Sequence, residues 1–148
     1  MAIGEARVTD YSGGCHCEAV AVTFRTEREP RRWPLRRCTC SFCVRFGGVY
    51  TSDPAGEIVL RSTSALRTYQ FGQRTADFLF CPTCGVYFGA MTEIDGRKLA
   101  VLNVRVLDGV TLDLTAAQPM DFDEESVELR TARRLRHWTP LVLSVAAA

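Results

Sequence analysis

Lysine is nearly absent from this chain: Lys98 is the only one among 18 basic residues, so arginine carries the positive charge. Net charge is scarce too, at a formal +1, which gives no reason to expect a nucleic-acid or membrane partner. No apolar run approaches the roughly 18 residues that a membrane span needs. Met1 to Asp10 lacks the apolar stretch of a signal peptide, so the expected compartment is the cytoplasm. No repeat or low-complexity linker divides the 148 residues, which read as one domain over 1–148, long enough to bury a substantial core. A serine–histidine–aspartate set and a phosphate-cradling glycine loop are also lacking, which removes the most familiar hydrolase and nucleotide chemistries.

What the chain does have is cysteine, and none of it is isolated. The seven fall into three groups, Cys15-x-Cys17, Cys38-x-Cys40-x2-Cys43 and Cys81-x2-Cys84. An odd number does not suit a closed disulfide set, and cytoplasmic thiols stay reduced, so the clusters read as metal-binding or catalytic. The run Cys81-Pro82-Thr83-Cys84-Gly85 looks like a zinc knuckle, in which two thiolates converge and the glycine permits a left-handed turn. On a strand, residues i and i+2 share a face about 6.6 Å apart, and leaning side chains can close to the sulfur–sulfur spacing of about 3.8 Å on one zinc. Seven ligands divide into four and three. Four cysteines make a closed structural site, whereas three leave a position open for water, substrate or thiol. Spacing does not say which pair completes the Cys81/Cys84 site, but Cys38, Cys40 and Cys43 are local enough to form the three-ligand site alone. Competing readings are buried cysteines without metal, a redox CxxC, one closed zinc site beside free thiols, and iron in place of zinc. No thioredoxin-like βαβ pattern surrounds the CxxC pair.

The rest of the pattern is mainly β. Strands are expected over Ala19–Phe24, Ala76–Phe80, Val86–Ile94 and Arg97–Leu107, the last two joined at Asp95-Gly96 by a type I′ hairpin turn. Gly13-Gly14, Asp53–Gly56 and Asp108-Gly109 read as turns, and Ser41–Phe46 as one helical turn closed by Gly47-Gly48. Arg25–Arg37, with Pro30 and Pro34, reads as an exposed connection, and Asp121–Glu128 as solvated acidic surface. Leu141–Ala148 is either a last strand or a frayed tail. Phe24, Phe78, Phe80, Tyr87 and Phe88 are expected in the core.

In order, Gly13-Gly14-Cys15-His16-Cys17, Cys38-Thr39-Cys40-Ser41-Phe42-Cys43, Phe80-Cys81-Pro82-Thr83-Cys84-Gly85 and Leu102–Asp108 resemble the glutathione-dependent formaldehyde-activating enzyme family, which includes centromere protein V. The resemblance runs from about Tyr11 to Asp123. It implies a β-tent of stacked antiparallel sheets with few helical turns. It implies a structural zinc at Cys15, Cys17, Cys81 and Cys84, and a second, catalytic zinc at Cys38, Cys40 and Cys43, where Cys40 can also react with a thiol. The implied activity is that of a carbon–sulfur lyase, condensing a glutathione-like thiol with an aldehyde such as formaldehyde. The alternative is a non-enzymatic zinc module or thiol sensor of the same fold. Glu18 stands where the family often has glycine, Thr39 where it often has histidine, and Val44-Arg45 where it often has two arginines.

Arg36, Arg37 and Arg45 flank the middle cluster and are candidates to hold the carboxylates of a thiol substrate. Asn103 and Arg105 alternate along an expected strand and are candidates to face a pocket. His16, between two ligands, would point away from them on a strand, and His137 lies near the C-terminus. Neither is expected to act.

Overall fold

The computed structural model describes residues 7–146. The first six residues of the segment read for a signal, and Ala147 and Ala148 of the terminal run, lie outside them. In chain order the elements are β1 (Thr9–Gly14), β2 (Val20–Thr26), β3 (Arg36–Cys38), α1 (Ser41–Phe46), β4 (Tyr50–Thr51), β5 (Glu57–Ser62), β6 (Arg67–Tyr69), β7 (Asp77–Phe80), β8 (Tyr87–Ile94), β9 (Arg97–Asn103), β10 (Gln118–Met120), α2 (Val127–His137) and β11 (Thr139–Val145). The chain is mainly β, as its pattern predicts. Short 3-10 turns at Pro30–Arg32, Val104–Val106 and Leu114–Ala116 fill the connections.

Alternation explains the strands. In β2 the side chains of Val20, Val22, Phe24 and Thr26 point inward and are buried, while the intervening ones are not. They pack with Ile58 and Leu60 of β5 and with Phe88, Leu102 and Leu141 in the main core. In β8, six consecutive residues from Tyr87 to Thr92 are buried, because the strand lies between β7 and β9 with material on both faces. Phe88 enters the main core, whereas its neighbour Tyr87 joins a smaller cluster with Cys43, Tyr50 and Phe80. That second face is where the candidate site forms.

The sheet is mixed rather than wholly antiparallel. β11 runs parallel to β5 and β10 parallel to β3, while the other pairings are antiparallel. The strand order β1-β2-β5-β11-β9-β4-β3-β10 places β11 between two groups of strands, with β8, β7 and β6 continuing from β9. Leu141–Val145 is therefore a strand and not a tail.

Several local expectations change for physical reasons. Gly13-Gly14 does not turn. It ends β1, paired with Val22 and Ala21, and a Cβ on Gly13 would lie 1.9 Å from the Val106 carbonyl oxygen, so glycine is there for close backbone approach. The arginine-rich segment is not a plain exposed connection. It buries Trp33, whose indole meets the rings of Tyr11 and Phe24 edge-on at 4.9 and 5.1 Å and donates from Nε1 to the Arg28 carbonyl. The strand expected over Arg97–Leu107 stops at Asn103, where the Asn103 side chain accepts from the Arg105 N–H and turns the chain into a 3-10 turn. The Asp95-Gly96 turn is as expected, with φ of 51° and 77°.

Candidate metal clusters and an arginine-walled cavity

The four sulfurs of Cys15, Cys17, Cys81 and Cys84 converge to within 4.8 Å of one another. Two of the spacings, Cys15–Cys17 and Cys17–Cys81, are 3.6 Å, close to what two thiolates on one tetrahedral zinc require. The Cys-x-Cys pair is not on a strand. Cys15 and Cys17 lie in the turn between β1 and β2, and Cys81 and Cys84 in the turn between β7 and β8. A turn suits the chemistry better, because its N–H groups are not tied into a ladder and can point at sulfur. The N–H of Val20 donates to Cys15 Sγ at 3.3 Å, and those of Thr83 and Cys84 donate to Cys81 Sγ at 3.4 Å. The Cys84 thiol is drawn down to about 6 by the backbone N–H groups of Val86 and Cys17. Donors aimed at sulfur favour the thiolate, the form that binds metal. His16 is exposed in the same turn and adds no ligand.

Glu18, two residues before β2 begins, has φ of 70°. This left-handed conformation strains any residue with a Cβ and is natural for glycine. Glu18→Gly should therefore raise stability by up to about 1 kcal/mol without changing metal content, a shift that denaturant unfolding of the metal-loaded protein would detect.

The second cluster is built differently. Cys38 ends β3, Cys40 caps α1 with its sulfur accepting the Cys43 N–H at 3.3 Å, and Cys43 sits in the helix's first turn. Gly47, with φ of 61°, closes the helix, as the sequence predicts, and Arg105 donates to the Gly47 carbonyl. The three sulfurs lie within 4.8 Å of one another. The Cys38 thiol is drawn down to about 6, chiefly by its hydrogen bond with Cys43, and Cys43 is correspondingly pushed up. Tyr50 donates its hydroxyl to Cys43 Sγ at 3.2 Å and meets the Tyr87 hydroxyl at 2.9 Å. Burial raises both phenols well above the ordinary range, so both remain protonated donors.

Both donor sets fit a thiophilic metal, and the two clusters could each hold an ion. They differ in surroundings. Cys38, Cys40 and Cys43 line a cavity of about 230 Å³, whereas none of the other four cysteines does. Its lining is also aromatic, from Phe71, Phe78, Tyr87, Phe122 and Trp138, and α2 contributes Arg130, Arg133 and Arg134.

Of the arginines expected near substrate, Arg36 lines this cavity and donates to the buried Ser52 hydroxyl. Arg37 is exposed, and Arg45 is spent on the Ser41 carbonyl at 2.7 Å; neither lines it. Asn103 is buried and donates to the Tyr87 carbonyl, and neither it nor Arg105 reaches the cavity, since the strand they were expected to share ends between them. His137 is exposed at the end of α2.

The sequence reading missed α2 and its arginines. The acidic segment before it is not simply solvated: Phe122 and Asp123 line the cavity, and Glu125 clasps Arg130 and Arg133 at 3.2 and 2.9 Å. A signal existed in Ser126, whose side chain caps the helix by accepting the Leu129 N–H, and in the i, i+3, i+4 spacing of Arg130, Arg133 and Arg134. Arginines at helical spacing look like a solvated face, and here they face the cavity, with Arg134 buried and Arg130 and Arg133 partly so.

The class is that of a mainly β scaffold with one four-cysteine and one three-cysteine cluster that could each hold a metal, the latter opening on a cavity. The family model for the glutathione-dependent formaldehyde-activating enzyme matches residues 10–121. The chain belongs to that family. It is also similar to a Rhodobacter sphaeroides protein of known crystal structure, at 31% identity and a TM-score of 0.54, over 73% of this chain and 97% of that one. Among the described residues no helix is long and apolar enough to cross a membrane.

Proposed function

We propose that this chain is a zinc-dependent, cytoplasmic carbon–sulfur lyase-type enzyme that joins a small thiol to an aldehyde, with glutathione and formaldehyde as the reference pair. The observation that carries this reading is the asymmetry of the clusters: the three-cysteine set faces the cavity and the four-cysteine set does not. Cys15, Cys17, Cys81 and Cys84 have a structural role, and Cys38, Cys40 and Cys43 form the reacting end. Zinc at the three-cysteine cluster would supply a Lewis acid and favour the substrate thiol as thiolate.

In the net reaction the substrate sulfur forms a bond to the carbonyl carbon. The carbonyl π electrons move to oxygen, which gains the proton that the thiol gives up. The chain's contribution is mainly positioning. Tyr50 fixes Cys43, the Cys40 cap fixes α1, and Phe71, Phe78 and Trp138 give the cavity an apolar lining. The uncatalysed addition is already easy, so a modest acceleration is enough.

The test is calorimetry with glutathione on protein verified to carry two zincs, followed by S-hydroxymethylglutathione formation against the spontaneous rate. Binding with rate enhancement that Cys40→Ser abolishes is the expected result. Binding without enhancement would favour a non-enzymatic thiol-binding module. No binding at millimolar glutathione would sink the formaldehyde reading.

A further inference from the structure

Arg134 is the unexplained residue of the cavity wall. It is 7% exposed, the only fully buried residue of α2. Its Nη1 donates to the carbonyl and hydroxyl of Thr75, both neutral, and its guanidinium carbon lies 4.7 Å from the Trp138 ring centre. Its Nε is buried with no partner, and among the described residues no carboxylate lies within 4 Å of the guanidinium.

The neighbourhood deepens the imbalance. Arg130 and Arg133 share the one carboxylate of Glu125, and Arg36 is satisfied by a serine hydroxyl. Four guanidiniums therefore face the cavity against the carboxylates of Asp123, on its lining, and Glu125, behind it. Removing a cation from water without a paired anion costs several kcal/mol, and like charges nearby add to that cost. Burial, with Arg133 and Arg130 nearby, holds the Arg134 guanidinium down to about 10. An anion held in the cavity would offset this charge.

The rest of the space limits what the anion is attached to. The rings of Phe71, Phe78, Tyr87 and Phe122 line the same cavity as the arginines and the thiolate cluster. The cavity, at about 230 Å³, is below the roughly 300–1,000 Å³ of sites that enclose drug-sized ligands. α2 also lies beyond residues 10–121, so the wall is not part of what matches the family model.

Building on the thiol-site reading above, we propose that the cavity selects compact mercapto-carboxylic acids, with the sulfur at Cys38, Cys40 and Cys43, an apolar body against the aromatic lining, and the carboxylate at the α2 arginines with Arg134 as its central partner. The two ends recognise different chemistry. One requires sulfur and the other requires a negative charge, and a neutral thiol of the same length satisfies only one of them.

The experiment compares acid with ester. Calorimetry on the zinc-loaded protein would use 3-mercaptopropionate and 6-mercaptohexanoate, each against its methyl ester, to cover two spans. At least one acid should bind about tenfold or more tightly than its ester, the worth of one charge-assisted hydrogen bond. Arg134→Gln should close that gap and Arg134→Lys should restore part of it. If Arg134→Gln does not fold, Arg130→Gln replaces it, and the wild-type comparison still decides. Equal binding of acid and ester at both lengths would overturn this inference and leave the thiol reading standing. No binding of any of the four thiols would overturn both.

Discussion

Cys84→Ser should lose the zinc of the four-cysteine cluster and lower the melting temperature by about 10 °C or more, with loss of about 5 kcal/mol of stability. The expectation follows from where the ligands sit. Cys15 and Cys17 lie in the β1/β2 turn and Cys81 and Cys84 in the β7/β8 turn, 64 residues apart in sequence between Cys17 and Cys81. These turns belong to different groups of strands, which β11 connects within the sheet. A metal there closes a long loop and staples the two groups, so it contributes folding free energy directly. Serine keeps the size of the side chain but offers a poor ligand, so the change removes the bond and little else. Thermal unfolding with zinc content measured on the same sample is the check, and unchanged melting with full zinc retention would rule out a structural role for this cluster.

The second large effect is selective demetallation. Under mild chelation the Cys38/Cys40/Cys43 zinc should leave first, taking thiol-dependent activity with it while the melting curve stays within a few degrees of the intact protein. Three protein ligands leave one position exchangeable, and the cluster borders a cavity through which a chelator can approach. All three cysteines lie within one short stretch from β3 into α1, so release frees little chain entropy. β3 remains tied to β4 and β10, and Tyr50 remains buried between Cys43 and Tyr87. Time-resolved zinc release with a chromophoric chelator, followed by unfolding of the half-loaded product, separates the cases. If both metals leave together and the fold collapses with them, the clusters are not of two kinds.

Much of this was legible because the informative residues are local and chemically specific. The cysteine spacings predict a division into four and three, the family resemblance implies which four, and the structure places those four sulfurs, and the other three, within 4.8 Å of one another. Asp95-Gly96 and Gly47 mark a turn and a helix end that depend on few residues. What was not legible depends on distant partners. Gly13 reads as a turn until Val106 is seen against it. Trp33 reads as part of a basic loop until Tyr11 and Phe24 close over it. Arg134 reads as surface charge until Thr75, 59 residues away, receives its hydrogen bonds. Arg37 and Arg45 were candidates only by adjacency to cysteines, and adjacency in sequence does not set which way a side chain leaves the backbone.

The place of β11 has a consequence for how the chain comes off the ribosome. The strand that lies between β5 and β9 follows every other strand named here, so the ladder cannot be completed until those have emerged. Cys15, Cys17, Cys81 and Cys84, by contrast, have all been made by residue 84. While residues 85–145 are still being added, a metal held by these four sulfurs would already join the β1/β2 turn to the turn that follows β7. Metal supply during translation, rather than after it, would then govern how much of the protein reaches its native topology.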